Sequence, residues 1–256
     1  MCFDMGKPVA DSDRALISPR FFAPLIGRTA KRVVMTFDQR MTDRLRRRLG
    51  LDERGKAIVT ARYYPPRKSN GVGLVGPTMG APLAAAVAEI LFACGTHSLL
   101  PVGSCGSLQP FAKLGSLIVP DSALSGEGTS RHYFSRQRVF NSDPQGCAEL
   151  LRFLGDHGEQ AFSGRVWTTD ALFRETRGKL AELRAQGLIA VEMELSALCA
   201  VAKFRGGRSI VPLLIVSDLV HGKLWKPGSM LPTVRKRIER ASELLADFLE
   251  QGGLAG

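Results

Sequence analysis

Ser98-Leu-Leu-Pro-Val-Gly103 is apolar at almost every position, and Ile210-Val-Pro-Leu-Leu-Ile-Val216 repeats the pattern. Successive side chains of a strand point to opposite faces, so a run without polar alternation needs apolar cover on both sides. Two such strands call for a sheet held between helices. Outward from them, strand-like runs at 32–37, 57–64, 72–75 and 116–119 alternate with helical spacing at 41–49, 82–94, 144–155, 174–186, 194–205 and 231–250. Pro65 to Gly71 reads as a turn, and Pro82 falls in a first helical turn, where its missing N–H has no partner to lose. This order predicts an α/β fold of three layers, α/β/α, around a central mixed sheet.

With 256 residues, 45% apolar and 23% charged, the chain suits one large domain rather than two small cores. Residues 1–30, carrying Pro8, Pro19 and Pro24, read as an irregular N-terminal arm, and residues 31–256 as that single domain. The five cysteines (Cys2, Cys94, Cys105, Cys147, Cys199) are widely spaced with no Cys-x-x-Cys pair, which argues against a disulfide framework and points to a cytoplasmic setting. No secretory layout opens the chain, and the longest apolar stretch, 81–94, is interrupted by Glu89, so no membrane span is expected. The four histidines (His97, His132, His157, His221) show no metal-ligand spacing, and neither a metal nor another cofactor is called for.

A net charge of +11 raises the question of nucleic acid, because a basic surface attracts phosphate regardless of sequence. The densest run, Arg44 to Arg48, carries Leu45 and Leu49 at helical spacing and reads as the solvated side of an amphipathic helix. No zinc-finger, RNA-binding or basic-zipper pattern accompanies it, so no nucleic-acid partner is expected.

In open α/β sheets, loops at the carboxyl ends of strands build the ligand site. Val102-Gly-Ser-Cys-Gly-Ser-Leu108 reads as a small-residue loop in which glycines let backbone N–H groups approach an anion and Ser104 adds a hydroxyl; alone it is equally a tight turn. Its spacing does not make the Gly-x-Ser-x-Gly of a serine nucleophile. Ala190-Val-Glu-Met-Glu-Leu-Ser-Ala-Leu198 sets Glu192 and Glu194 at a helix entrance, where acids are also favoured by the dipole alone. If that entrance is irregular, the two carboxylates share a side; in a regular helix they diverge. Leu214-Ile-Val-Ser-Asp218 delivers an acid at the end of a buried strand, placed either for proton donation or as a simple turn residue. Gly71-Val-Gly-Leu-Val-Gly76 matches the dinucleotide fingerprint, but Leu74-Val75 still reads as strand and Pro77, Gly80 and Pro82 delay the helix, so that reading is set aside.

Together these segments resemble the purine nucleoside phosphorylase and uridine phosphorylase family, which also contains hydrolytic nucleosidases. Gly76-Pro-Thr-Met-Gly-Ala-Pro82 is similar to the family's Gly-Met-Gly-x-Pro loop, Val102-Gly-Ser-Cys-Gly106 to its phosphate loop, Val191-Glu-Met-Glu194 to its ribose motif and Ser217-Asp218 to its acid; the resemblance covers roughly residues 32–250. It implies a phosphorylase-like, strongly twisted sheet and cleavage of the N-glycosidic bond of a nucleoside, with phosphate as co-substrate. It further implies that Glu194 holds the ribose hydroxyls with Met193 and Met79 against the sugar and Glu192 supporting, while Asp218 protonates the base as the second catalytic group. Gly103 and Ser104 would hold phosphate, and Phe173 would stack on a base also met by Cys105, Gly106, Val191 and Thr169. Asp218 favours a purine, whose ring nitrogen can be protonated; the Gln-x-Arg of uridine phosphorylases is not evident, although Arg177 stands near its place. A homo-oligomer, a dimer or a hexamer, is implied as well.

The chain departs from the family at the phosphate. Pro101 stands where the family has an arginine, and Phe37-Asp-Gln-Arg-Met41 replaces a Gly-Asp-Pro-x-Arg loop, leaving Arg40 as a substitute ligand, while Arg62 corresponds by the resemblance to the arginine that a neighbouring subunit lends to the site. One lost charge-assisted contact costs about 1.5–3 kcal/mol of phosphate binding. A hydrolytic nucleosidase, with Asp38 or Asp43 to activate water, therefore stands as an alternative beside a uridine-type phosphorylase, both ahead of a protein that binds nucleosides or nucleic acid without catalysis.

Overall fold

The structure, a computed structural model, describes residues 16–67, 71–222 and 224–254. A 3-10 turn (Pro19–Phe22) runs into a one-turn helix α1 (Ala23–Ile26), followed by β1 (Arg32–Thr36), α2 (Gln39–Arg48), the hairpin β2 (Lys56–Ile58) and β3 (Ala61–Tyr64), and β4 (Gly73–Gly76). Helix α3 (Ala81–Ala93), β5 (Ser98–Ser107), β6 (Leu117–Gly126), β7 (Val139–Asn141), α4 (Pro144–Asp156), β8 (Ala161–Thr169), α5 (Arg177–Ala185) and β9 (Ala190–Glu192) come next. The chain closes with α6 (Leu195–Phe204), β10 (Ser209–Ile210), β11 (Leu213–Leu219), β12 (Lys226–Pro227) and α7 (Pro232–Glu250).

Among the described residues twelve strands join one mixed sheet, in the order β12-β11-β6-β8-β9-β5-β1-β4-β3-β2, with β10 added to β5, β7 to β6, and a further pairing of β11 with β5. That last pairing closes the strands β5, β11, β6, β8 and β9 into a ring, so half of the sheet curls on itself while β1, β4, β3 and β2 extend from it as a wing. Neighbouring residues of one strand serve opposite cores. Val33, Met35 and Leu99 pack with α3 and α6, whereas Val34, Leu100 and Val102 pack with α4 and α7. Burial on both faces is what the apolar runs predicted, and the three-layer α/β/α reading holds.

Several boundaries differ from the sequence reading. Residues 57–64 form a hairpin and not one strand, turning at Val59, which is half-exposed with φ of 53°. β5 continues to Ser107 because β11 pairs with it as far as Ser107↔Leu219; the small-residue segment expected to be a loop is therefore strand. β8 went unread because its first half is only partly buried and carries Ser163, Gly164 and Arg165, which break the apolar pattern. The first fifteen residues of the arm, with Cys2 and Pro8, lie outside the described residues. The part that is described is helical from Pro19 to Ile26, with prolines in the first turns and Ile26 buried in the core, so this part is not irregular.

Arginines of the 44–48 run are ion-paired around the buried Leu45 of α2: Arg44 pairs with Glu239, Arg46 with Glu53, and Arg48 with Asp247 and Glu250. The fingerprint-like glycines end in β4, and α3 begins only at Ala81. Among the described residues no helix is long and apolar enough to cross a membrane. Leu99 is fully buried between β1 and the helices above it. Leu99→Ala is expected to lower unfolding free energy by about 2–5 kcal/mol, measured by urea denaturation.

Candidate active site

The site starts from a helix entrance. The first N–H groups of a helix have no intrahelical acceptor and must find one elsewhere. At α6 the Glu192 carboxylate supplies it: Oε2 accepts the N–H groups of Glu194 and Leu195, both at 2.7 Å. Thr168 Oγ1 accepts the Ser196 N–H at 3.0 Å and donates its own hydrogen to Glu192 Oε1. The Ser196 hydroxyl donates in turn to Glu127, which also takes Ser125 Oγ and the Ser130 N–H. With the Ser130 hydroxyl 2.8 Å from that of Ser125, two buried carboxylates and four hydroxyls form one network behind the entrance.

Ahead of this network Glu194 adopts a non-helical backbone (φ −135°, ψ −33°), so it shares a side with Glu192, as an irregular entrance allows. Its Oε1 accepts the Gly80 N–H at 2.6 Å, which ties the β4–α3 loop and Met79 to the entrance. Burial raises the affinity of both acids for a proton, and Glu192 adds to the effect on Glu194. Hydrogen bonds from Thr168 and two backbone N–H groups oppose the rise at Glu192.

Asp218 leaves the end of β11 just after an irregularity in its pairing with β5, which places it opposite Gly106. Its Oδ2 accepts the Ser217 hydroxyl at 2.9 Å and Oδ1 the Gly228 N–H at 3.2 Å. Glu175 stands near it; burial, and then the Asp218 charge, push the Glu175 carboxyl up to about 7.

One open cleft of about 1730 Å³ joins these groups. Met79, Ser104, Cys105, Gly106, Phe173, Val191, Glu192, Met193, Glu194, Asp218 and Arg40 all line it, so most of the residues singled out in the sequence meet at one place. Three do not. Gly103 is covered by the Phe37 ring, Thr169 turns to the other side of β8 from Thr168 and accepts the Ala171 N–H, and Arg62 lies on the exposed hairpin, donating to the Arg54 carbonyl. Phe173, expected over a base, stands 95% exposed at the mouth. The sequence reading passed over the roles of Phe37, Glu175, Trp225 and Arg235 in the lining, since each arrives from a segment without a motif.

The family model for the phosphorylase superfamily matches residues 31–251, and the chain belongs to that superfamily. The chain is 30% identical to the guanosine phosphorylase of Halorubrum lacusprofundi over 144 residues, 56% of this chain and 60% of that one, so the match spans less than two thirds of that relative. Its fold is that of the uridine phosphorylase of Vibrio fischeri (TM-score 0.71, 22% identity, 94% of this chain and 99% of that one). It is also that of a futalosine hydrolase mutant of Helicobacter pylori (TM-score 0.72, 14% identity, 87% and 100%).

An acid that binds its proton more tightly when folded gives a native state with more bound protons than the unfolded one. Stability then falls as pH rises from the ordinary value of 4.5 through the raised one. Glu194→Gln keeps an acceptor for Gly80 and removes this loss. It is expected to melt above the parent near about pH 8, with the gap closing towards about pH 4 in thermal scans; a parent that is the more stable at the higher pH would contradict the assignment.

Proposed function

We propose that the protein cleaves the N-glycosidic bond of a purine nucleoside and transfers the sugar to phosphate. The observation that carries this is the convergence of Glu194, Ser104 and Asp218 on one cleft. Breaking C1′–N leaves positive charge on the sugar and an electron pair on the base, so the reaction is favoured by a carboxylate near the ribose and a proton donor at the base. Glu194, which lines the cleft and accepts backbone N–H groups of Gly80 and Met193, is suited to take the ribose hydroxyls with its remaining acceptor capacity. Met193 and Met79 flank it with apolar surface. Asp218 delivers the proton to a ring nitrogen of the leaving purine, held in place by Ser217 and Gly228.

Ser104 lines the cleft with a hydroxyl that makes no hydrogen bond among the described residues, and Arg40 lines it from the start of α2. These two are the phosphate ligands of this reading; a bond from a phosphate oxygen to C1′ then gives ribose 1-phosphate. Likeness to a guanosine phosphorylase supports both phosphate and a purine. Pro101 and Phe37 favour a second reading, in which water takes the place of phosphate and Asp38, a lining residue, activates it. A cytoplasmic homo-oligomer, with Arg62 lent to the cleft of a neighbouring copy, accompanies the proposal.

Base release from a panel of nucleosides with and without phosphate tests the proposal: release that needs phosphate supports it, and release without phosphate supports hydrolysis. Glu194→Ala is expected to lower kcat about a hundredfold or more. Asp218→Asn is expected to slow purine nucleosides about tenfold or more beyond its effect on pyrimidine ones. Small and equal effects on both classes would remove the assigned roles.

A further inference from the structure

β5 loses one neighbour and gains another along the same edge. β1 runs beside it as far as Thr36↔Val102, and β9 joins it at Gly106↔Val191. β10 and β11 take the opposite edge, since β10 shares Ser98 and Leu99 with β1 while β11 shares Gly106 and Ser107 with β9. Gly103, Ser104 and Cys105 therefore border a break in the sheet between β1 and β9. Backbone polar groups at such a break lack a ladder partner, and beside a serine hydroxyl they form a seat for an anion.

Phe37 is the first residue past β1, and its ring lines the cleft and lies against the face of Gly103. A Cβ built on Gly103 would lie 2.5 Å from Cδ2 of the ring. A phosphate oxygen needs donors at about 2.7–3.0 Å, whereas the ring presents carbon and a π face of negative potential. Pro101, buried two residues before Gly103, brings no donor to compensate. Around Gly103 the chain thus offers a ring and a proline and no added donor.

We infer that Phe37 restricts the acceptor in this cleft: its ring covers the Gly103 side of the anion seat, so phosphate meets only the Ser104 side unless the ring is displaced. The inference rests on the proposed reading of the Ser104 segment as the acceptor side. Phosphate held by Ser104 and Arg40 alone is bound weakly, and water reaches the sugar in competition with it. The ring, together with the missing arginine, then sets the balance between phosphorolysis and hydrolysis.

Equilibrium dialysis of radiolabelled inorganic phosphate against the full chain tests this without turnover. Phe37→Ala is expected to bind phosphate about tenfold or more tightly than the parent, the size of one regained charged hydrogen bond. Phe37→Leu, which keeps the bulk, is expected to match the parent. Should the alanine variant prove too unstable, Phe37→Val trims the ring and is expected to fall between the two. Equal binding by parent and alanine variant, or tighter binding by the parent, overturns the inference. Lack of base release from every nucleoside would defeat the proposed reaction, while the dialysis would still decide the case of Phe37.

Discussion

The buried carboxylate of Glu192 beneath the first turn of α6 is the interaction around which the site is arranged. Taking a carboxylate out of water is costly, and the cost is offset only when donors surround it. Glu192 receives two backbone N–H groups and the Thr168 hydroxyl, and it lies at the positive end of the helix. One group therefore satisfies the helix entrance and fixes the backbone of Glu194. Glu194, with backbone donors in Gly80 and Met193, keeps acceptor capacity for the cleft.

The ring formed by β5, β11, β6, β8 and β9 brings the other groups to the same entrance. β9 ends in Glu192 and pairs with both β5 and β8, so the glutamates, Ser104 and Thr168 are fixed relative to one another by strand register. β11, on the opposite edge of β5, carries Asp218 to the level of Gly106. The cleft thus opens where β1 has ended and β9 has begun, an interruption of the kind at which α/β sheets bind ligands. Phe37 and Arg40 reach it because β1 stops there and α2 starts at once, with Asp38 as its N-cap.

Much of this was legible in the chain. Continuous apolar runs at 98–103 and 210–216 marked strands buried on both faces, and every helix of ten or more residues was visible from its spacing. The segments around Ser104, Glu194 and Asp218 could be named because residue types with distinct chemistry sit at strand ends. β8 was not legible, since a strand whose first half is partly exposed has no apolar pattern to show. Phe37 was legible only as a departure from a glycine, because the sequence does not say what a side chain leans against.

The sequence by itself determined the layers, the superfamily resemblance and the residues with chemistry to offer, because periodicity and local residue type are properties of neighbouring positions. Only the tertiary structure decided which of them meet. Thr168 and Thr169 differ by one position, yet alternation along β8 gives the first to Glu192 and turns the second away. Gly103 carries the small residue an anion seat wants, yet a ring from a distant strand end covers it. Such outcomes depend on register and packing between segments far apart in the chain, and no local pattern encodes them.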